Sequence, residues 1–99
     1  MTLTHAVVSI SHESAQIIQF DDSQTTVSRL RAHDHPTGQH HSGVRTEHEF
    51  FGRVCDALAA VGDVLVTGAR TAIADFEHYV RKHRPATVER ILAFEVVDR

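Results

Sequence analysis

The chain has 99 residues, 41% of them hydrophobic, and a formal net charge of −3 with histidine neutral. That suits one globular domain spanning residues 1–99, and it excludes both wholesale disorder and the strongly basic footprint of an autonomous nucleic-acid binder. Cys55 is the only cysteine, which rules out an internal disulfide or a cysteine zinc site, and the absence of an apolar run near about 20 residues or a secretory leader pattern sets the expectation of a cytoplasmic protein away from membranes.

In chain order, His5 to Ile10 and Ala15 to Phe20 are short, β-branched apolar runs. Ser11-His12-Glu13-Ser14 between them has hairpin length, and Asp21-Asp22-Ser23 makes a second turn. Thr25 to Arg31 alternates as a third strand, so a three-stranded antiparallel meander is expected. His12–Glu13 and Asp21–Asp22 have no evident third catalytic partner and read as turn chemistry.

Ala32 to Arg45 has no periodicity and is broken by Pro36, Gly38 and Gly43. A loop of this length is functional or disordered more often than a short one. Thr46-Glu47-His48-Glu49 fits a capping box, which predicts a helix starting there. Phe50, Phe51, Val54, Cys55, Leu58 and Val61 form its apolar stripe, with Gly62 placed as a left-handed stop. Cys55 on that stripe reads as a small buried hydrophobe.

Asp63 to Thr67 is an apolar strand expected to be buried on both faces. Gly68 opens a turn into a second helix with Ala69, Ala72, Ile73, Phe76, Tyr79 and Val80 on its core side. Arg81, Lys82, His83 and Arg84 crowd its last turn, where cations suit the carbonyl end of the helix dipole, and Pro85 prevents continuation. Arg90 to Val97 is the final strand, parallel to the one before the helix. The order β-β-β-α-β-α-β gives an α/β fold with a mixed sheet and helices.

The strand–turn–helix from Val64 to Tyr79 resembles the third domain of the archaeal and eukaryotic release factor and Pelota family. It is similar also to the stand-alone bacterial relatives labelled translational machinery proteins. Gly68 matches the first glycine of a Gly-Pro-Gly turn, and Phe76 and Tyr79 match aromatic positions along the helix. His5 to Val8 and the histidines from His33 to His41 match the opening strand and histidine-rich loop of the stand-alone members. The resemblance implies an L7Ae-like α/β/α sandwich, no termination chemistry, and a binding role near the ribosome, RNA or a protein partner. Ala69 and Arg70 stand where the pattern has Pro-Gly, and Ile73 where it has a lysine.

Three candidate surfaces follow. Free amides at the start of the second helix attract anions, so Gly68, Arg70 and Thr71 are candidates for a phosphate or RNA contact. Arg81, Lys82 and Arg84 could touch RNA backbone or simply form a solvated helix end. The nine histidines of the chain include five between His33 and His48. His33, His35, His40, His41 and His48 could ligate zinc or nickel, respond to pH, or line a solvated loop. Nothing in the sequence assembles a nucleophile, base and oxyanion site, so a binding module is expected rather than an enzyme. Self-association is also expected, because so small a domain readily leaves an apolar edge or face exposed.

Overall fold

The computed structural model describes residues 4–32 and 43–97. The β-branched run His5–Ile10 forms β1, and Ser14–Phe20 forms β2, antiparallel to it. The turn between them is tied by Ser11, whose Oγ accepts from the amides of Glu13 (3.2 Å) and Ser14 (3.1 Å). The next turn is an Asx-turn: Asp21 Oδ1 accepts from the amides of Ser23 (2.8 Å) and Gln24 (3.0 Å). The bond from the Ser23 amide is the main reason the Asp21 carboxyl lies below its ordinary range. β3, Thr25–Arg31, completes the meander as an edge strand, mostly exposed.

α1 runs from Gly43 to Ala57. It begins three residues before Thr46, so the Thr46–Glu49 pattern lies inside the helix and is not its cap. The apolar stripe behaves as its spacing predicts, with Phe50, Phe51, Val54, Cys55 and Leu58 buried. The stop is not the left-handed Gly62 expected, for Gly68 is the sole positive-φ residue among those described. Instead the chain tightens through Leu58 N to Cys55 O and Val61 N to Leu58 O. Gln19 Nε2 donates to the carbonyl of Ala57, a group that the helix terminus leaves open, and Arg90 donates to the carbonyls of Ala59 and Val61 in the connection to the next strand.

β4, Asp63–Gly68, lies between β1 and β5 (Ile91–Val96) and is parallel to both. The sheet order is β3-β2-β1-β4-β5. α2 spans Arg70–His83 and buries Ala72, Ile73, Phe76, Tyr79 and Val80. Pro85 does end it, and then starts a short helix absent from the sequence expectation, α3 (Pro85–Val88). Proline suits a first helical position because its missing N–H has no partner to lose there.

Alternation puts Ala6, Val8, Ile10, Ala15, Ile17, Val64 and Val66 on one face of the sheet. α1 and α2 both pack there in a single core, with Phe51 edge-on to Phe76 at 5.2 Å. The mixed sheet with helices is as expected; the layering is simpler than a three-layer sandwich, because no described helix covers the other face. That face carries a row of paired apolar residues, Val27, Ile18, Val7, Leu65 and Ala93, one from each strand. Leu65 is therefore only half-buried, so β4 is fully buried on one face rather than on both. Among the described residues no helix is long and apolar enough to cross a membrane.

Candidate functional site

Gly68 closes β4 where its backbone runs against Ile10. A Cβ there would lie 2.2 Å from the Ile10 carbonyl oxygen, at a φ of +154°. Glycine is required by that approach, and it lets the chain turn through Ala69 into α2. A cleft of about 580 Å³ opens beside the turn on the uncovered face of the sheet. Ser9, Gln16, Thr67, Gly68 and Ala69 line it, together with Arg29 from the edge strand. Its place at the carboxyl ends of the parallel strands β1 and β4 is where open α/β sheets commonly bind ligands.

Of the residues expected at this turn, Gly68 lines the cleft, while Arg70 and Thr71 are exposed on the first turn of α2 and are not part of its lining. The cation that the cleft does contain, Arg29, reads in sequence as an ordinary strand residue. Nothing in the local pattern marks it, because β2–β3 pairing is what brings it opposite Gln16.

The basic end of α2 is a separate place, about 20 Å away at about 1.5 Å per helical residue. Two of its three cations are occupied. Arg81 pairs with Glu77 at 2.8 Å and lies over the Phe94 ring. Arg84 pairs with Asp56 at 2.9 Å; that hydrogen bond, then one to Tyr79, holds its guanidinium above the ordinary arginine range. Lys82 is exposed. Arg90, close in sequence, ties down the connection from α1 to β4 through the carbonyls of Ala59 and Val61.

His33, His35, His40 and His41 lie outside the described residues. His48 is half-buried, its ring 5.1 Å from Tyr79 and 5.3 Å from His83. A different polar cluster forms where the sequence shows none. His12 Nε2 is 2.8 Å from Asp75 Oδ2 and 3.9 Å from Glu47 Oε2. The turn reading of His12 thus lacked a partner 63 residues away, which only the docking of α2 supplies. Cys55 is buried, and burial pushes its thiol up to about 11, away from the thiolate form that reacts.

No protein-family model and no curated protein matches the sequence. Solved structures do match. Pelota from Archaeoglobus fulgidus aligns over 100% of this chain and 27% of its own, with a TM-score of 0.64 and 18% identity. The chain folds like a release-factor and Pelota domain. Pelota from Thermoplasma acidophilum (99% of this chain, 29% of its own, TM-score 0.62, 16% identity) and the archaeal translation termination factor aRF1 (94% and 29%, TM-score 0.61, 14% identity) agree. The chain spans between a quarter and a third of the length of each of these proteins.

Proposed function

We propose that this chain is a non-enzymatic binding domain of the translation apparatus, and that its partner there is a protein surface. The observation that carries this reading is the match of the entire chain to one domain of Pelota, in company with a translation termination factor. Fold alone does not assign a role, so the choice of partner rests on the surface chemistry. The net charge is −3. Arg81, Arg84 and Arg90 are engaged within the fold, and among the described residues Arg29 is the one cation lining the cleft. A phosphate-backbone site needs several uncommitted cations. The cleft instead adjoins the apolar row Val7, Ile18, Val27, Leu65 and Ala93, which is the composition of a protein contact.

Co-sedimentation of the tag-free chain with ribosomes tests this at low and moderate salt. Retention that survives moderate salt and is lost in Ile18→Glu is the expected result. Binding that collapses with salt and is indifferent to Ile18→Glu points to RNA backbone instead. No association in either condition overturns the reading.

A further inference from the structure

Besides the cleft, the described residues hold one group of three ligand-type side chains whose donor atoms all lie within 4.8 Å of one another: His12, Glu47 and Asp75. They come from three separate elements, the β1–β2 turn, the early part of α1, and α2. We propose that they form a binding site for a divalent first-row transition ion, with zinc as the best match.

The chemistry and the spacing agree on this. One imidazole nitrogen and two carboxylate oxygens are a ligand set that zinc accepts, and the two carboxylates balance its charge. Bonds of about 2.0–2.2 Å at tetrahedral angles place ligand atoms about 3.3–3.6 Å apart. The distances from His12 Nε2, 2.8 Å to Asp75 and 3.9 Å to Glu47, lie on either side of that range. The adjustment asked of each donor is about half an ångström, and all three side chains end in rotatable bonds. The turn carrying His12 is held by the Ser11 hydroxyl through the two following amides, and Asp75 sits beside the buried Phe76 on a helix fixed by the core. His12 and Asp75 are exposed and Glu47 is half-buried, so an ion has access from solvent. Three protein ligands leave a fourth position for water or for a donor from a partner.

An ion bound here clips α1, α2 and the hairpin together, so its presence is readable in stability as well as in heat. The site does not depend on the translation reading or on the histidine-rich segment. Calorimetric titration of the tag-free chain with zinc chloride, a thermal melt with and without zinc, and the visible spectrum with cobalt(II) test it. The expected result is a single site of micromolar affinity or tighter, a raised melting temperature and cobalt bands of low coordination number. His12→Ala and Asp75→Asn each weaken binding by about a hundredfold or more, since even an outer-shell loss costs about 10–100-fold. Asp75→Asn keeps the shape of the side chain, and both positions are exposed, so circular dichroism should show an intact fold. Replacing His33, His35, His40 and His41 together with alanine leaves zinc binding in place. Wild-type affinity in Asp75→Asn, affinity no tighter than millimolar, or binding abolished by the fourfold variant alone each overturns the proposal.

Discussion

Cys55 shows how far one residue can be read from its position. Its place on the apolar stripe of α1 predicts burial, and the structure leaves it 1% exposed. Burial disfavours the charged thiolate and raises the thiol from 9.0 to about 11, with the nearby Arg84 charge opposing. The folded state thus prefers the protonated form. Its contribution to stability is full below the unfolded value of 9.0 and is lost as pH climbs through about 11. Two measurements follow. Iodoacetamide at pH about 8 should leave the native thiol unmodified and label it fully in urea, since only the thiolate attacks. Between pH about 9 and 11 the urea midpoint of the wild type should fall more steeply than that of Cys55→Ala; parallel curves would show that the thiol does not ionise on unfolding. His12 is the contrasting case. Its partner Asp75 lies on the exposed side of α2, where a carboxylate is unremarkable, and the sequence holds no signal that links the two.

At the scale of elements, periodicity made most of the fold legible. The antiparallel meander, the buried stripes of α1 and α2 and the parallel β4–β5 pair all follow from apolar spacing and turn residues. The start of α1 did not, because a capping-box pattern at Thr46 competes with the actual start at Gly43 and local sequence cannot weigh the two. α3 was hidden because a proline that ends one helix equally well begins another. The parallel pairing of β1 with β4 was illegible for a different reason. It joins strands far apart in the chain, and no local pattern encodes it. That pairing also gives Gly68 its role. The turn reading assigns the glycine to backbone freedom, whereas the structure adds a hard contact with Ile10 O at 2.2 Å from any Cβ. Gly68→Ala should therefore destabilise the chain by about 2–4 kcal/mol, through a strained φ and a backbone clash where β4 closes against the end of β1. Gly62→Ala meets Thr4 O at 3.3 Å, without a positive φ, and should cost less than about 1 kcal/mol. Urea denaturation of the two variants compares them; equal losses would mean that the Ile10 contact relaxes freely.

The whole molecule has one face that its own described helices leave bare, and the strand order makes that face self-complementary. β1 is the middle strand, so a two-fold axis along it lays β3 of one copy over β5 of another. Ile18 then faces Leu65, Val27 faces Ala93, and Val7 meets its own counterpart. In the neighbouring row Arg29 comes over Glu95, since Arg29 pairs with Gln16 and Glu95 with Thr67 across the sheet. Val27 is 57% exposed, so burying it on association yields a real gain. The area limits the strength. Five strands at about 4.8 Å and six residues at about 3.3 Å give a face of roughly 24 by 20 Å. That is short of the about 800 Å² per partner buried in a standard interface. The free chain should therefore form a weak dimer with micromolar dissociation, visible as concentration-dependent sedimentation velocity. Ile18→Glu and Leu65→Glu should each hold it monomeric without unfolding it, because both side chains are only half-buried. Arg29→Glu should weaken the dimer by opposing Glu95, and adding Glu95→Arg to it should restore association. A double variant no better than Arg29→Glu alone would exclude this two-fold arrangement. Since the same row is the proposed contact for a translation partner, ribosome binding and self-association should compete, and Ile18→Glu should abolish both.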